Sequence, residues 1–259
     1  MFAVFTDLDA TLLDAHTYSF EAARPALAML AARGIPCVMV TSKTRAEVEA
    51  LRARVGSHDP FIVENGGAAF LPRESGGGYD VLEFGTPYAR LTAALRESSA
   101  AAGCRVRAFH AMTDEEVARL CSLPLASARL ARMREYDEPF AVVDEDRADR
   151  LLDSLAQRGL QWTHGGRFYH VLGNNDKGSA VSAVLAYYRN RFGRVQSIGL
   201  GDSRNDLEFL RLMDTPIVVR AQHDQSELLQ STGGKLTRAF GPAGWNEALL
   251  ARLRAIPPA

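Results

Sequence analysis

Four short apolar runs, each halted by a polar or glycine-rich cluster and followed by a helical pattern, constrain this chain more than any other feature. They are residues 2–5 before TDLDATLL, 35–40 before TSKTR, 61–63 before ENGG and 195–200 before GDSRND. Runs of this kind predict strands buried on both faces, and their alternation with helices predicts βαβ units in a parallel sheet. Two helices are plain in the sequence. Residues 20–33 close at Gly34, and residues 177–192 align Val181, Val184, Leu185 and Tyr188 on one stripe ahead of Gly193. Residues 216–219 and 245–255 predict a further strand and a last helix. Ligands of an open parallel sheet sit beyond the carboxyl ends of its strands, so the four polar clusters should converge on one crevice.

Between the third and fourth runs the rhythm changes. After Gly76-Gly77-Gly78 the pattern reads strand 79–84, helix 87–102, strand 104–109 and a helical pair at 114–123 and 125–134. Strand 140–143, helix 145–158 and strands 160–163 and 167–172 follow. This predicts a small antiparallel sheet with helices on one face, an α+β insert. With 259 residues, 47% of them apolar, the chain can fill two cores. The expected division is an α/β parallel-sheet core from residues 1–80 and 173–259, with an inserted cap at 81–172 lying over the crevice.

Formal net charge is −1, so no overall field favours nucleic acid or an anionic membrane. No apolar stretch is long enough to predict a membrane span, and the first residues lack the regions of a secretory leader. Cys37, Cys104 and Cys121 form no CxxC pair. A reduced, cytoplasmic setting is the expectation.

Chemistry must therefore come from the strand ends. Asp7 and Asp9, two apart on an extended chain, can reach one small volume, where mutual repulsion separates their proton affinities and suits a carboxylate nucleophile beside an acid and base. Alone, such a pair could equally cap a helix or hold a structural cation. Thr41 and Ser42 add hydroxyls and amides suited to a phosphate oxygen, and Lys177, opening a helix after Asn174-Asn175-Asp176, can neutralise the carboxylates. Asp202 and Asp206 supply further hard oxygens, which with Asp7 suit Mg²⁺.

With these motifs in order, TDLDATLL, VMVTS, DKGSA and GLGDSRND, the chain resembles the haloacid dehalogenase (HAD) superfamily of phosphatases, and its insert resembles a C2B-type cap. TSKTRAE, FIVENGG, REYDEP and WTHGGRFYH make it similar, more narrowly, to the mannosyl-3-phosphoglycerate phosphatase branch. The resemblance implies a Rossmann-like core and a Mg²⁺-dependent phosphatase acting through an aspartyl-phosphate. Its substrate would be a small phosphorylated glycosyl-glycerate of compatible-solute synthesis. It implies Asp7 as nucleophile, Asp9 as acid and base, and Thr41 and Lys177 holding phosphoryl oxygens. The cation would sit on Asp7, the Asp9 carbonyl and Asp202, with Asn205 and Asp206 in support. Ala10 stands where many relatives carry glycine, and an ordinary backbone is expected there.

A substrate bearing phosphate, carboxylate and sugar needs a second cationic clamp. Arg167 is the first choice, with backbone amides at Gly165 and Gly166 beside it, and Lys43 and Arg134 follow. Ser42, His164 and Asn65 are candidates for further substrate contacts. Two rivals share parts of the pattern: other capped phosphatases of sucrose-, trehalose- or hexose-phosphate type, and a phospho-accepting receiver-type switch, which has no use for a cap or for Asp9.

Overall fold

The computed structural model describes residues 1–74, 76–165 and 168–255. The chain begins with β1 (Phe2–Thr6), α1 (Arg24–Ala32), β2 (Cys37–Val40), α2 (Arg45–Val55) and β3 (Phe61–Val63), then β4 (Ala68–Pro72) and β5 (Tyr79–Glu83). An insert follows: α3 (Tyr88–Ala102), β6 (Val106–Ala108), α4 (Asp114–Cys121), α5 (Leu125–Ala131), β7 (Asp137–Val142), α6 (Ala148–Gln157), β8 (Gln161–Gly165) and β9 (Phe168–Leu172). The chain then returns with α7 (Lys177–Phe192), β10 (Gln196–Gly201), α8 (Leu207–Leu210), β11 (Thr215–Arg220), α9 (Ser226–Thr232), β12 (Lys235–Phe240) and α10 (Gly241–Arg254).

Eight strands form the larger sheet in the order β12-β11-β10-β1-β2-β3-β4-β5, parallel except for β4 and β5 at one edge. The central strands are apolar throughout because both faces are covered. Val4, Met39 and Phe61 pack against α1, α2 and α10 on one side. Ala3, Phe5, Val38, Val40 and Ile62 pack against α7, α8 and α9 on the other. Trp245, fully buried in α10, donates its indole N–H to Thr6 Oγ1 at 2.9 Å and so fixes the end of β1 where the first carboxylate emerges.

One assignment changes. The sequence pattern placed residues 79–84 in the insert, but β5 pairs with β4 along its length, from Pro72 with Tyr79 to Ala68 with Glu83. The chain thus leaves the large sheet only after Glu83. The second sheet, β6-β7-β9-β8, is antiparallel throughout. Phe140 and Val171 on one face pack with Leu91 and Leu95 of α3 and Leu151 and Leu155 of α6. Its other face looks onto the crevice.

Candidate active site

Asp7 follows β1 directly, its N–H bonded to Leu200 O of β10 at 2.8 Å, so the parallel pairing that builds the sheet also sets the carboxylate at the carboxyl end of two strands. Asp7, Asp202 and Asp206 are buried with carboxylate oxygens within 4.8 Å of one another. Lys177, the first residue of α7, places Nζ 2.7 Å from Asp7 Oδ1 and 2.7 Å from Asp206 Oδ1. Asp206 Oδ2 accepts the N–H groups of Asp202 and Ser203. Both its oxygens are thus engaged, and it anchors Lys177 and the GDSRND turn. A Cβ on Gly201 would lie 2.7 Å from that carboxylate, which is why the turn needs glycine there. Asp202 Oδ1 accepts the Thr11 hydroxyl at 2.8 Å.

Three buried carboxylates against one ammonium leave negative charge uncompensated. Burial, opposed by Lys177 and reinforced by Asp206 and Asp9, pushes the Asp7 carboxyl up to about 7. Burial, with Asp206 and Asp7, raises Asp202 well above its ordinary value. Burial would also lower Lys177, but Asp206 and Asp7 overcome it and hold the ammonium charged. A set of hard oxygens lacking positive charge fits a divalent cation.

Asp9 lies beside this cluster and turns its carboxylate to Lys43, whose Nζ is 2.9 Å from Asp9 Oδ1, 3.8 Å from Glu47 and over the Tyr18 ring. It is not among the three clustered carboxylates. The loop between β1 and the first turn is tight, with the N–H groups of Thr11 and Leu13 both donating to Leu8 O. It carries Ala10 at φ 58, not with the ordinary backbone expected. The left-handed conformation that glycine adopts freely is thus imposed on alanine, at a cost of about 1 kcal/mol.

A cavity of about 370 Å³ opens above, lined from the core by Asp7, Asp9, Ser42, Lys43, Asp202 and Asn205, and from the insert by Arg134, Thr163, Phe168 and His170. Thr41 is fully buried one layer beneath, its Oγ1 accepting the Lys43 N–H at 3.2 Å, so Ser42 is the member of that pair on the cavity wall. Arg134 spans core and insert, donating to Ser42 O and Ala131 O and lying 3.7 Å from Asp137.

Asn65 does not offer its side chain to the cavity. It is buried at φ 54, donates from Nδ2 to Asp137 Oδ2 at 2.7 Å and accepts from Asn205 Nδ2 at 3.2 Å. His164 is also misplaced. It pairs with Tyr169 on the face of the insert's sheet that carries the α3 and α6 core, pointing away from the crevice. Gly165 closes β8 opposite Phe168, while Gly166 and Arg167 lie outside the described residues.

Two buried carboxylates were not anticipated. Glu64, at φ 48, accepts the N–H groups of Glu135 and Tyr136 at 2.7–3.1 Å and so ties the core to the start of β7. Burial, opposed by Arg134, pushes its carboxyl up to about 8. Asp137 is bonded to His170. Strand parity carries the signal for His170, since Tyr169 and Val171 pack into the insert's core and the residue between them must face the other way.

The haloacid dehalogenase-like hydrolase family profile matches residues 4–77. A glucosyl-3-phosphoglycerate/mannosyl-3-phosphoglycerate phosphatase from Methanococcoides burtonii is 41% identical, covering 95% of this chain and 95% of its own. A mannosyl-3-phosphoglycerate phosphatase from Pyrococcus furiosus is 34% identical, covering 88% of this chain and 95% of its own. Among solved structures, a haloacid dehalogenase-like hydrolase from Bacteroides thetaiotaomicron superimposes with a TM-score of 0.71 at 14% identity, covering 96% of this chain and 98% of its own. The subclass IIB sugar phosphatase BT4131 gives 0.69 at 17% identity, covering 97% and 99%. These likenesses establish the fold.

Proposed function

The chain belongs to the mannosyl-3-phosphoglycerate phosphatase family of haloacid dehalogenase-like hydrolases, and from that premise we propose that it removes the phosphate of glucosyl- or mannosyl-3-phosphoglycerate at the Asp7 site. It is a phosphoric monoester hydrolase. The observation that carries the reading is Asp7 held by Lys177 beside Asp202, on the floor of a cavity whose volume of about 370 Å³ suits a phosphorylated disaccharide-sized ligand.

In this reading an Asp7 oxygen attacks phosphorus in line, the O–P bond forms as the bond to the glycerate oxygen breaks, and Asp9 protonates the departing alcohol. Asp9 then takes a proton from the water that hydrolyses the aspartyl-phosphate, freeing phosphate and Asp7. Lys177 and the hydroxyl and amides at Thr41 and Ser42 hold the phosphoryl oxygens as charge spreads over them. Mg²⁺ held by Asp7, the Asp9 carbonyl and Asp202 would neutralise that charge, with Asp206 and Asn205 positioning the turn. Lys43, on the cavity wall beside Asp9, takes the glycerate carboxylate, with Arg134 behind it.

A panel assay of released phosphate tests the reading. Glycosyl-3-phosphoglycerates are expected to exceed hexose phosphates and sucrose phosphate in kcat/KM by about 10²-fold or more, since a site built around a second anion rejects ligands lacking it. A hexose phosphate turned over best would overturn it.

Cation binding carries its own pH signature. Asp7 titrates near 3.8 when unfolded and at about 7 when folded, so between these values the metal-free fold holds more protons than the unfolded chain and loses stability as pH rises. Mg²⁺ binds the ionised form and reverses this loss. At about 100-fold above its Kd, Mg²⁺ adds about 2.7 kcal/mol, or roughly 5–10 °C in Tm for a chain of this size. The full shift is expected at pH 8 and less than half of it at pH 5; equal shifts in thermal melts at both would remove the buried carboxylates as its ligands.

A further inference from the structure

We infer that the hexose is read by the crevice-facing wall of the insert's sheet, with His170 Nε2 and the Thr163 hydroxyl meeting sugar hydroxyls and the Phe168 ring covering a sugar face. The inference rests on the substrate proposed above and assigns its non-reacting half. Thr163 and His170 are cross-strand partners in β8 and β9, and both line the cavity with Phe168. Phe168 is held edge-on to Phe109, with ring centroids 5.3 Å apart, which leaves an aromatic surface beside two polar groups. Aromatic faces with a few fixed hydrogen-bonding groups are the chemistry of a carbohydrate subsite, whereas the cations Lys43 and Arg134 lie lower, next to Ser42 and Asp9.

His170 is held in place for this task. Its Nδ1 lies 2.8 and 3.1 Å from the two oxygens of Asp137, and its side chain is 11% exposed. Asp137 is fully buried, receives Asn65 Nδ2 at 2.7 Å and lies 3.7 Å from Arg134. Burial alone would raise the Asp137 carboxyl, but His170, Arg134 and Asn65 overcome it and hold it below its usual range. An ionised Asp137 accepts from Nδ1–H, which leaves Nε2 of the neutral ring as an acceptor for a hydroxyl. Asn205 Nδ2 bonds Asn65 Oδ1, so the Asn65–Asp137–His170 chain begins in the loop that carries Asp202 and registers the sugar wall against the phosphate site.

The test compares glucosyl-3-phosphoglycerate with 3-phosphoglycerate, which keeps the phosphate and carboxylate but lacks the hexose. Wild-type protein that fails to turn over glucosyl-3-phosphoglycerate overturns the proposed substrate and this assignment with it. Given turnover, His170→Ala is expected to raise KM for glucosyl-3-phosphoglycerate about 10- to 100-fold with kcat within about 3-fold. The inhibition constant of 3-phosphoglycerate should stay unchanged, and His170→Gln, which retains an acceptor, should recover part of the loss. Thr163→Val, outside the Asp137 network, should shift KM in the same direction and guards against a folding defect in the His170 variant. Equal losses for both ligands, or none for either, would overturn the sugar wall while leaving the proposed reaction intact.

Discussion

Asp7→Asn is expected to lower phosphate release by about 10⁴-fold or more on every substrate, because an amide cannot attack phosphorus and no neighbouring carboxylate is free to replace it. Asp9 is turned to Lys43, Asp202 is bonded to Thr11, and both Asp206 oxygens are engaged. The fold should tolerate the change. Asn has the same shape, its Oδ1 can still accept from Lys177, and the substitution removes one negative charge from a cluster short of cations. Metal-free Tm at pH 8 should therefore hold or rise, while the response to Mg²⁺ shrinks with the loss of a charged ligand. Phosphate release measured beside thermal melts separates these effects. Residual activity above about 1% of wild type would remove Asp7 as nucleophile, and an unchanged Mg²⁺ response would remove it as ligand.

The parts of the site that could be read from the sequence are those that the parallel sheet itself positions. Asp7, Thr41 and Asp202 each follow an apolar run, and an apolar run buried on both faces has one interpretation. Lys177 stood out for a related reason, as the opening residue of a helix behind Asn174-Asn175-Asp176. What escaped depends on partners far along the chain or on local strain. Tyr79–Glu83 follows a glycine run that could equally close a hairpin or open a new domain, and only pairing with Ala68–Pro72 decides between them. ENGG looked like a turn, but Glu64 and Asn65 adopt left-handed conformations because their side chains are bound by residues about seventy positions away. Gly66 fits the turn reading better, since at φ 86 a Cβ there would lie 2.0 Å from the Asp176 carbonyl oxygen. Ala10 shows the converse, because no feature of its residue type announces the conformation that the Leu8–Leu13 hydrogen bond imposes. His164 and His170 sit in one hairpin, and composition cannot rank them. Strand parity does, sending one toward the helices and the other toward the crevice.

Lys177→Met should damage stability and catalysis by separable routes. The ammonium is almost wholly buried between Asp7 and Asp206, and removing it leaves the clustered carboxylates without their cation. Breaking a buried ion pair in this way costs about 3–5 kcal/mol, roughly 10 °C in Tm for a chain of this size. The loss should be largest near pH 8 and smaller at pH 5, where carboxyls already raised by burial accept protons. Saturating Mg²⁺ should restore much of the stability at pH 8 by supplying positive charge at the same place. It should not restore turnover, expected to remain about 10³-fold down, because the lost group also contacts the transferring phosphoryl oxygens. Lys177→Arg should not rescue it, since a planar guanidinium cannot occupy a space closed to 2.7 Å on two sides. A Tm loss equal at pH 5 and pH 8 would mean that Lys177 acts by packing and not by charge, and the electrostatic account of the cluster would fall with it.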